Sequence, residues 1–186
     1  MKFIIIGIQG AGKSTQGNLL KKALDIPYLS TGHIFREMAK EHTQTGRYIK
    51  EVINSGSLVP DSKTMEIVSE YLKRPEYEKG YIMDGFPRTL HQAETFANGI
   101  TKAIYLKVSD KEALWRLAGR SLEEGAQERE DDATLKAILK RIELFHKHTE
   151  PVLKYYRQHH KLVEVNGEQS IEAIHKEIME KLQINE

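Results

Sequence analysis

Short apolar runs alternate with amphipathic segments along the chain. Five of the runs have the length and composition of buried β-strands. They occupy residues 2–6, 27–30, 80–84, 102–108 and 162–165. Because helical patterns separate the strands, the sequence predicts an α/β fold in which a five-stranded parallel sheet carries helices on both faces.

The segments between the strands carry apolar residues at helical spacing. We predict helices at 15–24, 32–40, 43–54, 61–72, 89–97, 109–120, 132–159 and 170–182. Several begin at side chains that suit a helix N-terminus, namely Thr31, Asp61, Thr89, Ser109 and Ser170. Ser109 and Glu112 also have the spacing of a capping box, and the long segment 132–159 is expected to be interrupted or bent at Pro151.

The region between the second and third strands is predicted to hold only helices, which should project from the sheet as a small excursion. Residues 121–130 form a polar, highly charged segment. The chain shows no internal repeat or flexible linker, so we expect residues 1–186 to form a single domain.

The composition excludes several classes of protein. The net charge of +1 over 186 residues gives no argument for binding nucleic acid or an acidic membrane. No apolar run approaches the ~20 residues of a membrane span, and the residues before the first loop are too few for a signal peptide. The absence of cysteine excludes disulfides and cysteine-bound zinc. We therefore expect a cytoplasmic protein, and nothing in the sequence suggests an obligate oligomer.

Residues 7–14 (GIQGAGKS) fit the phosphate-binding loop pattern G-x-x-x-x-G-K-[ST], between a predicted strand and a predicted helix. Glycines let successive backbone N–H groups face one anion, and a helix N-terminus adds donors and a positive dipole end. Lys13 would add charge for the outer phosphates, and Ser14 or Thr15 would offer a hydroxyl group to hydrated Mg²⁺. The alternative is a chance match, which the flanking strand and helix disfavour.

Other polar side chains are predicted at the same edge of the sheet. Ligands of parallel α/β sheets bind at the carboxyl ends of the strands, so the loops after residues 6, 29, 84 and 165 should meet there. The Asp84 carboxylate would face the phosphate-binding loop through Mg²⁺ and its waters, with capping of the following turn as the alternative role. The eight histidines show no metal-ligand spacing.

Arginines are further candidates for phosphate binding, because the guanidinium fork suits phosphate oxygens and keeps its charge. Arg88 follows a strand directly, beside a glycine turn. Other candidates are Arg36, Arg116, Arg120, Arg129 and Arg141, whereas Arg47, Arg74 and Arg157 are interpreted as solvated. Lysine, arginine and magnesium together could neutralise a phosphoryl group in transfer, and segment 121–130 could close over the site as a lid.

Together these motifs resemble adenylate kinase over nearly the whole chain. The phosphate-binding loop is followed at familiar distances by LSTG (29–32), GSLVPD (56–61), DGFPRTLHQA (84–93), RLAGR (116–120), REDD (129–132), KR (140–141), TEP (149–151) and YY (155–156). Segment 84–93 is the most specific of them. The resemblance implies a three-layer fold of the P-loop NTPase type and reversible, Mg²⁺-dependent transfer in which ATP and AMP give two ADP.

The resemblance also implies a role for each matching residue. ATP would be bound by Gly10, Ala11, Gly12, Lys13, Ser14, Thr15, Arg120 and, through its backbone, Gln169. AMP would be bound by Thr31, Arg36, Ser57, Leu58, Val59, Gly85, Phe86, Pro87, Arg88, Gln92, Arg129 and Arg141. The catalytic charges would be Lys13, Arg88, Arg120, Arg129 and Arg141. Mg²⁺ would be held by nucleotide and waters near Ser14 and Asp84, without a dedicated protein site and without zinc.

The family pattern further divides the chain into a core (1–29, 60–120 and 131–186), an AMP-binding excursion (30–59) and a short lid (121–130). The Phe86–Pro87 bond is expected to be cis. Selection of AMP would rest on Thr31 and on the Gln92 amide, which can both donate to and accept from an adenine edge.

Three features depart from the family pattern. His33 replaces an aspartate that helps to hold magnesium-bound water, so Mg²⁺ dependence is expected to be unusual. Ser14 replaces a common glycine. The spacing from Arg129 to Arg141 is one residue longer than expected, so either the helix start is shifted or Arg129 is not the functional equivalent.

Other functions compete with this interpretation. A kinase of UMP or CMP is one, and a catalytically weak nucleotide-binding paralogue, favoured only by His33, is another. A GTPase is disfavoured because the sequence lacks an Asn-Lys-x-Asp segment.

Overall fold

The structure is a computed structural model that describes residues 1–96, 99–120 and 135–184. Its strands are β1 (Lys2–Ile6), β2 (Tyr28–Ser30), β3 (Tyr81–Asp84), β4 (Lys102–Lys107) and β5 (Leu162–Asn166). They form one parallel sheet in the order β2-β3-β1-β4-β5, which confirms the predicted fold class. Ile5 of β1 pairs with Asp84 of β3, so the phosphate-binding loop and Asp84 leave the sheet side by side.

Helices cover both faces of this sheet. They are α1 (Lys13–Leu24), α2 (Thr31–Lys40), α3 (Gln44–Asn54), α4 (Asp61–Leu72), α5 (Leu90–Thr95), α6 (Asp110–Arg120), α7 (Leu135–Leu144), α8 (Glu150–Gln158) and α9 (Ile171–Leu182). Helices α2, α3 and α4 lie between β2 and β3 without an intervening strand, as the sequence predicts. Among the described residues, no helix is both long and apolar enough to cross a membrane.

The central strand β1 shows how the sequence builds two core layers. Phe3 and Ile5 pack into one hydrophobic cluster, whereas Ile4 and Ile6 pack into the other. Alternate residues of a strand face opposite sides of the sheet, and both sides are covered here, so the strand is apolar throughout rather than alternating.

The start of α2 differs from the prediction. Ser30, not Thr31, caps the helix, because its Oγ accepts a hydrogen bond from the His33 backbone N–H at 3.3 Å. Thr31 is buried, and its hydroxyl group donates to the Asp84 carbonyl oxygen at 3.2 Å. A tertiary contact therefore decides which of two adjacent hydroxyl groups caps the helix.

The capping box predicted at α6 forms only in part. Ser109 Oγ accepts from the Glu112 backbone N–H at 3.3 Å, as expected. However, the Ser109 backbone N–H donates to Glu168 at 2.8 Å, and the Glu112 carboxylate pairs with Arg116 instead. The reciprocal half of the motif is replaced by a contact from the loop after β5.

The interruption predicted at Pro151 lies about one turn earlier in the chain. A π-helical turn, Phe145–Thr149, separates α7 from α8, and Pro151 occupies the first turn of α8, where its missing N–H is not needed. His146 of this turn joins Glu150 through Nδ1 (2.6 Å) and Asp110 of α6 through Nε2 (2.9 Å). The predicted helix start at 132 lies outside the described residues.

Candidate active site

A cleft of about 350 Å³ opens at the carboxyl ends of β1, β2 and β3. Its walls come from the phosphate-binding loop, α2, the segment before α4, the loop after β3, and the end of α7 with the π-helical turn. Three of the four loops predicted to meet do so. The loop after β5 contributes none of the described lining residues.

The phosphate-binding loop forms the floor of the cleft. Gly10 has φ +86°, and a Cβ atom there would lie 2.8 Å from the Ala113 carbonyl oxygen, so both backbone angle and space require glycine. Lys13 Nζ donates to the carbonyl oxygens of Gly7 at 2.8 Å and Ile8 at 3.0 Å. The ammonium group is thereby held at the loop, where it can meet an anion.

The loop after β3 carries Arg88 and is fixed from several sides. Arg88 Nε donates to the Gly85 carbonyl oxygen at 2.8 Å, which sets the direction of the guanidinium group. The Arg88 carbonyl oxygen accepts from the Thr149 hydroxyl group at 3.0 Å. The Phe86–Pro87 peptide bond is cis, as predicted. Arg88 therefore enters the cleft from a well-anchored backbone.

Gln92 lines the same end of the cleft and is buried. Its Oε1 accepts from the Arg88 backbone N–H at 2.7 Å, and its Nε2 donates to Asp61 at 2.8 Å. The other Asp61 oxygen accepts from the Thr89 hydroxyl group at 2.8 Å. Asp61 was expected to cap α4, whereas Pro60 precedes the helix and the Asp61 carboxylate points to α5.

A second guanidinium group joins the cleft to the helical excursion. Arg141 of α7 donates to the Gln9 side chain at 3.1 Å and to the Ile53 carbonyl oxygen at 2.7 Å. Its neighbour Lys140 donates to Ser57 Oγ at 2.7 Å. Helix α7 thus places positive charge between the phosphate-binding loop and the end of α3.

The surroundings of Asp84 show whether the cleft fits hydrated Mg²⁺. It is buried, and its Oδ2 accepts from the Tyr28 hydroxyl group at 3.0 Å. Its buried Oδ1 has no hydrogen-bond partner among the described residues, and Asp84 and Ser14 both line the cleft. A buried carboxylate oxygen in this position fits a magnesium-bound water. The described residues hold no group of three or more His, Asp or Glu side chains arranged to bind a metal.

The structure brings most of the candidate residues together. The cleft is lined by Gly10, Gly12, Lys13, Ser14, Arg36, Ser57, Leu58, Val59, Asp84, Gly85, Pro87, Arg88, Gln92 and Arg141. Ala11, Thr31 and Phe86 are buried beside it.

Other candidates lie away from the described lining or outside the described residues. Thr15 does not line the cleft, and the exposed Gln169 side chain bonds to Asn166 and Glu177. The side chain of Arg120, the whole of Arg129 and the predicted lid 121–130 lie outside the described residues. The roles predicted for them stay predictions.

Sequence reasoning missed four residues of the cleft and its supports: Gln9, Tyr28, Lys140 and Thr149. Gln9 stands at a variable position of the loop motif, and Tyr28 was assigned only to a strand. Lys140 and Thr149 lie in segments that carry the family resemblance, which was the one available signal for them.

Comparison with known proteins matches residues 5–161 to a family model described as adenylate kinase. The adenylate kinase of Acetivibrio thermocellus is 32% identical, over 98% of this chain and 98% of that protein. That of Caldicellulosiruptor bescii is 34% identical over 99% and 100%, and that of Bacillus velezensis is 35% identical over 98% and 98%. The similarity therefore extends over essentially the full length of each relative.

Proposed function

As a member of the adenylate kinase family of phosphotransferases, the chain has adenylate kinase activity, and we propose that its cleft carries out the reaction. A phosphoryl group would pass from Mg²⁺-bound ATP to AMP, giving two ADP. The observation that carries the proposal is the convergence of the phosphate-binding loop, Arg88 and Arg141 on one cleft. Phosphoryl transfer needs alignment and charge neutralisation more than a covalent nucleophile, and these groups supply both.

Each cationic group has a distinct place in this reaction. Lys13 and the loop N–H groups would hold the outer phosphates of ATP, while Arg36 and Arg88 would hold the AMP phosphate. Arg141 would meet the phosphoryl group between them, and its hydrogen bond to Gln9 of the phosphate-binding loop supports this role. Because Arg88 Nε is anchored to the Gly85 carbonyl oxygen, its charge is oriented before transfer begins.

When bound with ATP, Mg²⁺ would supply further positive charge to the phosphate oxygens. Asp84 Oδ1 and the Ser14 hydroxyl group would hold its waters. Tyr28 keeps the other Asp84 oxygen hydrogen-bonded, which fixes the direction of the carboxylate. His33 lines the cleft in place of the usual aspartate, which supports the expectation of an altered Mg²⁺ dependence.

We also propose the predicted division into a core, an AMP-binding excursion (30–59) and a short lid (121–130), in a cytoplasmic monomer. The strandless excursion supports the first part. The alignments to the relatives run over 212 to 215 positions, more than the 186 residues of this chain. The relatives thus contain insertions relative to this chain, which supports a short lid.

The deciding experiment offers AMP, GMP, CMP and UMP in turn as acceptors with Mg²⁺ and ATP, and measures kcat/KM for diphosphate formation. We expect a preference for AMP of at least about tenfold, equivalent to about 1.4 kcal/mol. A tenfold preference for CMP or UMP would contradict the assignment. Tight binding of ATP and AMP without turnover would instead support a catalytically weak paralogue.

A further inference from the structure

We propose that Asp61 is a positioning residue for base selection, which locks the Gln92 amide in the orientation that accepts adenine and rejects hypoxanthine. The inference rests on the proposed function, because it concerns how the same cleft selects AMP. Four hydrogen bonds carry it, all within the region of α4, α5 and the Arg88 loop.

The contacts hold the amide at both ends. Asp61 Oδ1 accepts from Gln92 Nε2 at 2.8 Å, and the Arg88 backbone N–H donates to Gln92 Oε1 at 2.7 Å. Asp61 is itself fixed, because its Oδ2 accepts from the Thr89 hydroxyl group at 2.8 Å. Thr89 Oγ1 also accepts from the Gln92 backbone N–H, which closes the network.

The chemistry of these partners allows one amide orientation. An ionised carboxylate only accepts hydrogen bonds, and a backbone N–H only donates. A flipped amide would set oxygen against the carboxylate and an NH₂ group against the N–H. Gln92 is 2% exposed, so water cannot compensate for those two lost bonds.

The locked amide presents a defined pattern to the cleft. An amide oxygen has two acceptor positions and the nitrogen has two hydrogens. Contacts among the described residues use one of each, which leaves one acceptor beside one donor. Adenine offers N6–H as donor next to N1 as acceptor, which matches this pattern. Hypoxanthine offers O6 as acceptor and N1–H as donor, which reverses it without changing the size of the base.

A purely structural role for Asp61 makes a different prediction. If the carboxylate only tied α4 to α5, its loss would weaken every monophosphate equally. Base selectivity is therefore the readout that separates the two roles, and AMP and IMP are the appropriate probes because they differ at this edge alone.

The test measures kcat and KM for AMP and IMP in the full-length wild type and in Asp61→Ala. We expect the AMP-to-IMP ratio of kcat/KM to fall by about tenfold in the variant, the effect of releasing one charge-assisted hydrogen bond. The change should lie mainly in KM, because the amide faces the base rather than the phosphates. Asp61→Asn keeps an acceptor oxygen of the same shape and should hold the ratio within about threefold of wild type.

A matched control separates the amide from the loop around it. Thr149→Val removes the hydrogen bond from the Thr149 hydroxyl group to the Arg88 carbonyl oxygen and leaves the Gln92 amide untouched. Its AMP-to-IMP ratio should equal that of the wild type. If Asp61→Ala does not fold, Asp61→Ser carries the same prediction, because a hydroxyl group both donates and accepts and suits a helix N-terminus.

The inference is overturned if Asp61→Ala and Asp61→Ser lower kcat/KM for AMP and IMP equally, or if Thr149→Val narrows the ratio as much. A wild type that does not phosphorylate AMP would contradict the proposed function itself. A wild type that prefers AMP, with the ratio unchanged in the Asp61 variants, would contradict only this inference.

Discussion

Backbone carbonyl oxygens hold three of the cationic side chains that line the cleft. Lys13 Nζ lies 2.8 Å from the Gly7 oxygen and Arg88 Nε lies 2.8 Å from the Gly85 oxygen, while Arg141 is held in the same way. Donors that are already oriented lose little free energy to reorganisation when charge develops beside them. At the scale of single residues, the proposed site therefore depends on cationic side chains that backbone carbonyl oxygens already hold in place.

Replacing Arg88 by lysine tests this anchoring. We expect Arg88→Lys to lower kcat by about 100-fold, because an ammonium group cannot both replace the Nε bond to Gly85 and present a fork to phosphate. The melting temperature should stay close to that of wild type. Arg47→Lys, the same change at an exposed position outside the cleft, serves as control. Near-normal turnover in Arg88→Lys would contradict the role assigned to this residue.

His33 gives a second prediction at this scale. The residue lines the cleft, and its imidazole lies 4.0 Å from Glu37 on the exposed face of α2. His33→Asp should lower the free Mg²⁺ concentration for half-maximal activity several-fold, because a carboxylate binds magnesium-bound water better than imidazole does. A magnesium titration at fixed ATP measures this. His42→Asp, an exposed site off the cleft, controls for added charge, and an unchanged midpoint in His33→Asp would refute the prediction.

At the scale of elements, α1 packs closely against β2 because Gly17 of α1 has no side chain. A Cβ atom at Gly17 would overlap the ring of Tyr28, the residue whose hydroxyl group donates to Asp84. Glycine inside a helix costs about 0.5–1 kcal/mol relative to alanine. This cost is offset because the close approach of the helix lets the Tyr28 ring pack against Gly17, and the Tyr28 hydroxyl group then orients the Asp84 carboxylate.

Gly17→Ala should therefore destabilise the protein despite its better helix propensity. We expect the free energy of unfolding to fall by about 1–3 kcal/mol, the usual effect of overpacking. Gly119→Ala in α6, where an added Cβ meets nothing within 4 Å among the described residues, is the matched control. It should gain up to about 1 kcal/mol from helix propensity. Urea denaturation of both variants checks the pair, and equal shifts would contradict the packing argument.

A histidine joins two other elements, α6 and the π-helical turn. Hydrogen bonds to Glu150 and Asp110 raise the pKa of His146 above its ordinary value, against the opposing effect of partial burial. A pKa raised by folding contributes stability that is complete below the unfolded pKa of about 6.5 and is lost as pH rises through the folded pKa. The contribution should be below about 1 kcal/mol, because all three side chains are about half exposed.

His146→Gln should accordingly lower the urea midpoint more at about pH 6 than at about pH 9. His42→Gln, at an exposed position, controls for the loss of one titrating group. The same difference between wild type and His146→Gln at both pH values would exclude the ion-pair contribution.

The features that could be predicted from the sequence are those that depend on residues close together along the chain. The strands, the phosphate-binding loop and the helix caps Thr89 and Ser170 depend on local pattern, and the structure has them. The partner of Arg141 is 132 residues away in Gln9, and no local pattern specifies it. The same holds for Asp61, which suits a helix cap by sequence but takes Gln92 as its partner in the fold.

At the scale of the whole molecule, the proposed function assigns two nucleotides to one cleft, and this gives a thermodynamic prediction. A dinucleotide of two adenosines joined at their 5′ ends by a phosphate chain would occupy both sites. At about 100 times its Kd it should stabilise the fold by about 2.7 kcal/mol, which for a chain of this size raises Tm by roughly 5–10 °C. Differential scanning calorimetry measures the shift. ATP or AMP alone at the same concentration should give less, and equal shifts for ATP and the dinucleotide would contradict simultaneous occupancy.

Arg141 holds the Gln9 side chain with one nitrogen and the Ile53 carbonyl oxygen with another. If the guanidinium group of Arg141 turned to bind an anion, it would use the same N–H donors that hold the end of α3 to α7. In the proposed function, substrate binding would therefore be coupled energetically to the contact between α3 and α7 through one side chain. An anion that displaces the Ile53 carbonyl oxygen from Arg141 would weaken the contact between α3 and α7, whereas an anion that displaces Gln9 would leave that contact in place.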